Sequence, residues 1–149
     1  AHSELCGNAT LALGRRLPGG CRILTEMGTV FPERDDQYFQ ADVGISCTPR
    51  EPGARETPEP LIIVEVLSPS TIDHDKGRKG TLYREIPSLQ DILFVDSTRV
   101  RVEHWRREGE GWFILDVIGR DSAVTLKALD LTLPLADVYD GVALENDDA

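Results

Sequence analysis

Residues 60–83, PLIIVEVLSPSTIDHDKGRKGTLY, set a carboxylate, Glu65, in the middle of an apolar run and follow it with a helix-like segment carrying Asp75, Lys76, Lys79 and Tyr83. At a strand period of two, Leu61, Ile63, Glu65 and Leu67 share one side, and Ile62, Val64 and Val66 the other. Both faces are apolar except at Glu65, so the strand belongs in the middle of a sheet. An ionised carboxylate enclosed there is costly unless a metal ion or a basic side chain offsets it. Asp42 is the natural second acid. QADVGISC alternates, with Val43, Ile45 and Cys47 on one face and Asp42, Gly44 and Ser46 on the other. Were the two strands neighbours, both carboxylates would reach one ion, although Asp42 alone also reads as an ordinary strand-end acid. Mg²⁺ (or Mn²⁺) is satisfied by one or two carboxylates plus water and phosphate oxygens. Such an ion activates water and neutralises charge growing on a phosphate. Lys79 lies four residues after Asp75 and four before Tyr83, so the three share a helical face. It suits a role orienting the water, or a simple ion pair with Asp75. Tyr83 reads as a packing residue with a polar tip.

Those residues need a scaffold, and the pattern around them supplies one. Residues 3–16 carry Leu5, Ala9, Ala12 and Leu13 at helical spacing, with Ser3 as N-cap and Pro18-Gly19-Gly20 as a stop. Cys21 to Met27 and Thr29 to Pro32 read as strands bent around Gly28, and Gln40 to Cys47 as another. Thr48 to Glu59, rich in proline and charge, is a surface loop. After the strand Leu61 to Leu67, Ser70 or Thr71 caps a helix that runs to about Glu85 and is ended by Pro87. Asp91 to Asp96 is a strand, and Val100 to Arg106 pairs with Trp112 to Ile118 across Glu108-Gly109-Glu110-Gly111. Short strands near 124–127 and 131–135 and a turn at 136–140 follow. This order implies a mixed sheet with helices packed on it, in an α/β domain.

Composition narrows the function. A chain of 149 residues, 40% hydrophobic and 28% charged, has the material for one core and one domain, residues 1–149. No apolar run approaches the roughly 20 residues of a membrane helix, and no secretory leader stands out, which points to the cytoplasm. Cys6, Cys21 and Cys47 are odd in number and widely spaced, without a CxxC pair, and are expected to be reduced and mostly buried. His2, His74 and His104 form no HxH or HExxH array, so any metal is expected on oxygen ligands. The net charge of −10 opposes easy nucleic-acid binding, yet short groups such as Arg15-Arg16, Arg99 with Arg101, and Arg106-Arg107 leave room for a local basic face.

The string EVLSPST from Glu65 to Thr71, followed by Asp75, Lys79 and Tyr83 and then LFVDS at 93–97, resembles the Uma-type family of restriction-endonuclease-like proteins, a branch of the PD-(D/E)XK nuclease superfamily. The likeness extends upstream through GNATLALGRRL, CRILTEM and ADVGISC, and downstream to LPLADVYDGV. It implies a restriction-endonuclease-like fold, a central mixed β-sheet flanked by helices. It also implies a Mg²⁺- or Mn²⁺-dependent endonuclease acting on phosphodiester bonds, on DNA ahead of RNA. Asp42 matches the aspartate of the PD element, Glu65 the second acid, and Lys79 a lysine relocated to the following helix, since Leu67 stands where the superfamily usually has it. The main-chain carbonyl of Val66 is expected to add a ligand. Ala41 replaces the usual proline, which costs a rigid turn and no ligand. The chain begins at Ala1-His2 without the stretch that the resemblance places before the first helix, so an N-terminal segment is expected to be missing. A homodimer is expected only because cutting two strands favours one. The competing readings are a catalytically silent binding or assembly module and a hydrolase of another phosphoester.

Overall fold

The computed structural model describes residues 1–31, 34–49, 52–53, 59–70 and 72–145, without the side chains of 29–31, 34–39 and 72–75. Thr71 as a helix cap, the Asp75 side chain and most of the 48–59 loop therefore lie outside the described residues. Helix α1 (His2–Gly14) leads into strands β1 (Arg22–Phe31), β2 (Arg34–Ser46) and β3 (Pro60–Leu67), then helix α2 (Ile72–Tyr83). Strands β4 (Asp91–Asp96), β5 (Arg101–Glu108) and β6 (Gly111–Ile118) follow, then the hairpin β7 (Ala123–Leu126) and β8 (Leu131–Pro134), and α3 (Leu135–Val138).

The six long strands form one sheet in the order β1-β2-β3-β4-β5-β6. Every neighbouring pair is antiparallel except β3 with β4, where α2 provides the crossover that a parallel pair requires. β3 is thus central, and all its residues but Leu61 are buried, as its apolar run demands. Its period of two divides the interior. Ile62, Val64 and Val66 pack with α1, the β7-β8 hairpin and α3 in one cluster. Ile63 and Leu67 pack beneath α2 in another, with Leu82, Tyr83, Phe94 and Trp105. Two glycines let these layers close. A Cβ on Gly44 would run into the Met27 side chain, and one on Gly80 would stand 2.7 Å from the Trp105 ring.

The β1-β2 hairpin departs from expectation twice. It is continuous past Gly28, which pairs regularly with Gln40. Among the described residues the register shifts only between Val30 and Phe31, and Glu26, at φ 50° in the left-handed region, is irregular as well: the ladder pairs Thr25 with Val43 and Met27 with Ala41 but skips Glu26 opposite Asp42. The cysteines differ as well: Cys21 and Cys47 are joined in a disulfide, and Cys6 is the free cysteine. Their 26-residue separation is large along the chain but small in space, because the register Arg22↔Ser46 sets the two residues opposite each other at the open end of the hairpin, with Cα atoms 4.0 Å apart.

Candidate active site

Glu65 and α2 meet through the sheet face that α2 covers. Glu65 is 2% exposed, yet both carboxylate oxygens have donors. The Tyr83 hydroxyl donates to Oε1 at 2.6 Å, and the Lys79 ammonium donates to Oε2 at 3.2 Å. Lys79 and Tyr83 are one helical turn apart, so a single docked face delivers both. Burial is the main reason that the Glu65 carboxyl is pushed up to about 7; Lys79 and the Tyr83 hydrogen bond pull it down, and the nearby Asp42 charge pushes it up again. The Tyr83 ring is fully buried as the packing reading expects, but its hydroxyl reaches the site acid directly.

Asp42 sits where β2 leaves regular pairing on both sides. Toward β1 the ladder skips it, and toward β3 the pairing stops at Val43↔Val64, one step short of Asp42 opposite Glu65. The Val66 amide that regular pairing would have engaged donates instead to Asp42 Oδ2, at 2.8 Å. One carboxylate therefore replaces a rung of the sheet and is held in place by it. The fold thus brings Asp42 to the Val66 amide and Lys79 to Glu65, with the Asp42 charge felt at Glu65.

From the other face α1 adds two residues that the sequence reading set aside. His2 Nε2 lies 3.3 Å from Asp42 Oδ2, and Cys6 Sγ lies 3.8 Å from His2 Nδ1 and 4.0 Å from Nε2. Burial first, then the charges of Asp42 and Glu65, push the Cys6 thiol up to about 12. The signal for this pair was their i, i+4 spacing on α1; their neighbour Asp42 is 36 residues beyond Cys6 and is visible only in the fold.

Other expected basic residues point elsewhere. Lys76 pairs with Glu103 at 3.4 Å. Arg15 and Arg16 close on Asp137, Arg101 on Asp116 and Arg106 on Glu108. Arg107 donates to the Leu89 and Ile86 carbonyls. Beside the site an open groove of about 380 Å³ runs past His2, Ser68, Pro69, Ser97 and Thr98.

The donor chemistry fits a hard divalent cation. Two carboxylates from adjacent strands face one ammonium, and the Asp42 charge adds to burial in holding the Glu65 carboxyl up. Among the described residues no helix is long and apolar enough to cross a membrane.

The family described as "Uma2: Putative restriction endonuclease" matches residues 1–136. The chain is 32% identical over 145 residues to the uncharacterized protein slr1290 of Synechocystis sp., covering 95% of this chain and 76% of that protein. It is 33% identical over 95 residues to a second uncharacterized Synechocystis protein, sll1609, covering 60% of this chain and 52% of that one. Among solved structures, the fold is similar to that of "a putative nuclease belonging to DUF820" from Anabaena variabilis, with a TM-score of 0.76, 16% identity, and coverage of 95% of this chain and 82% of that chain. The mixed central sheet flanked by helices is therefore the expected restriction-endonuclease-like fold.

Proposed function

The chain belongs to the Uma2 family of restriction-endonuclease-like proteins, and on that premise we propose that it is a metal-dependent endonuclease cleaving phosphodiester bonds, of DNA in preference to RNA. The observation that carries this reading is the buried Glu65 carboxylate, held by Lys79 and Tyr83 and facing Asp42 on the adjacent strand. Asp42 and Glu65 would hold Mg²⁺ or Mn²⁺, with the Val66 main-chain carbonyl as a further ligand. The bound ion supplies a Lewis acid that lowers the pKa of water and offsets charge on the phosphate.

The protein's own groups do the rest. The Val66 amide fixes Asp42, so one ligand is preorganised before any ion arrives. Tyr83 fixes Glu65 at Oε1, leaving its orientation independent of Lys79. The Lys79 ammonium has three N–H donors, of which one goes to Glu65 in this structure. The others are suited to orient the attacking water and to donate to a non-bridging phosphate oxygen as negative charge develops. Ser68, Ser97 and Thr98 border the groove by which a phosphate backbone would approach, with the Ser97 and Thr98 hydroxyls donating to the Leu67 carbonyl and the Asp96 carboxylate.

The test is a Mg²⁺ and Mn²⁺ titration of the purified chain on supercoiled and single-stranded DNA. Divalent-dependent cleavage is expected, with Asp42→Ala and Glu65→Ala losing at least about 100-fold in rate, on the scale of removing one preorganised electrostatic group. Equal cleavage by wild type and Glu65→Ala would sink the assignment. Absence of cleavage of any nucleic acid, with intact folding and metal binding, would favour a silent module.

A further inference from the structure

The α1 side of Asp42 carries chemistry that hydrolysis at Asp42 and Glu65 does not use. His2 Nε2, Cys6 Sγ and an Asp42 carboxylate oxygen all lie within 4.8 Å of one another. A tetrahedral zinc ion with ligand bonds of about 2.0–2.3 Å requires donor atoms roughly 3.3–3.8 Å apart. The His2 Nε2–Asp42 Oδ2 distance of 3.3 Å meets that requirement, and Cys6 Sγ, 4.0 Å from the same nitrogen, has only a few tenths of an ångström (~0.2 Å or more) to close, which a χ1 adjustment on α1 supplies. His2 and Cys6 are four residues apart on α1, so one helical face presents both, and Asp42 faces them from β2. The third ligand is held by the Val66 amide, the kind of outer contact that orients metal-binding carboxylates.

We infer that His2, Cys6 and Asp42 form a binding site for a borderline-soft divalent cation, with Zn²⁺ its natural occupant and water as fourth ligand. The ligand types decide the selectivity. Imidazole and thiolate favour Zn²⁺ strongly, whereas Mg²⁺ is served by oxygen donors. The two sites share Asp42, so zinc on the α1 side withdraws one carboxylate from the ion held with Glu65. The inhibitory consequence rests on the proposed nuclease site; the zinc site itself does not.

Cobalt spectroscopy separates the two. With the Cys21–Cys47 disulfide intact, Cys6 is the free cysteine, so a thiolate-to-Co²⁺ charge-transfer band reports this site. The wild-type chain is expected to show that band together with tetrahedral d–d absorption, and Zn²⁺ to bleach both. Cys6→Ser should lose the band, and His2→Ala should weaken zinc binding by about tenfold or more, with circular dichroism confirming that each variant is folded. In a second arm, Zn²⁺ should displace Mn²⁺ from wild type, followed by the signal of released Mn²⁺, and fail to displace it from Cys6→Ser. A missing thiolate band, or equal zinc affinity in wild type, Cys6→Ser and His2→Ala, overturns the site. Zinc and Mn²⁺ bound together overturn the competition between the two sites. A chain that binds no Mn²⁺ instead counts against the Asp42–Glu65 reading, and the cobalt band still decides this one.

Discussion

Glu65 is the residue whose state should be easiest to read from outside. Its carboxyl stands at about 7 in the folded chain against an ordinary value of 4.5, chiefly through burial. A folded pKa above the unfolded one means that this group's contribution is fully present below pH 4.5 and is lost as pH rises through 7. At about 1.4 kcal/mol per unit, the full loss is roughly 3 kcal/mol. Urea denaturation in chelator should therefore show stability falling between pH 5 and 8, with the fall much reduced in Glu65→Gln. Mg²⁺ added at pH 8 should restore wild type, because binding to the native state alone stabilises it. Identical pH profiles for the two chains would remove Glu65 as their cause. The acid itself was legible in the sequence as a charge inside an apolar strand, and Asp42 followed from strand alternation. The Tyr83 hydroxyl and His2 were not, because their partners depend on which helix faces turn toward the sheet.

At the level of elements, the site exists because α2 lies close on β5. Gly80 sits between Lys79 and Tyr83, and a Cβ there would stand 2.7 Å from a Trp105 ring. That ring has little room to yield: Phe94 packs edge-on at 5.4 Å, the indole nitrogen donates to Glu103 at 3.1 Å, and the Arg84 guanidinium covers it at 5.0 Å. Gly80→Ala gains up to about 1 kcal/mol in helix propensity but overpacks the layer, at roughly 1–3 kcal/mol. A lower urea midpoint is expected, with a larger fall in cleavage than in stability, since Lys79 and Tyr83 shift with the helix. An Ala variant as stable and active as wild type would mean that α2 accommodates the methyl group freely. Periodicity and stop signals placed α1, α2 and the β5-β6 hairpin, because those cues are local. The skipped Glu26–Asp42 rung was hidden, since Gly28 is the glycine in reach and glutamate at positive φ carries no sequence mark. The sheet order was equally hidden, being fixed by long-range pairing.

For the molecule as a whole, two features act beyond any one element. The disulfide from Cys21 to Cys47 closes the β1-β2 hairpin that carries Asp42. A loop of 26 residues is worth roughly 3 kcal/mol of unfolded-state entropy. Reduction, or the double Cys21→Ser, Cys47→Ser change, should lower the urea midpoint accordingly, and an unchanged midpoint would show that the strand pairing alone holds the hairpin. The second feature is charge. The net charge is −10, and among the described residues Arg15, Arg16, Arg101 and Arg106 are paired to acids on the same chain, which limits their part in replacing the counterions of a duplex. Each phosphate neutralised by lysine or arginine contributes about −0.9 to the slope of log K against log salt. Fluorescence anisotropy with a labelled duplex should therefore give weak binding in chelator, tightened by Ca²⁺ as an oxygen-seeking ion bridging the carboxylates and a phosphate. The salt slope should stay shallower than about −4. A slope near −7 in chelator, equivalent to about eight phosphate contacts, would mean that the arginines leave their acidic partners on binding and that DNA, not the metal, organises the complex.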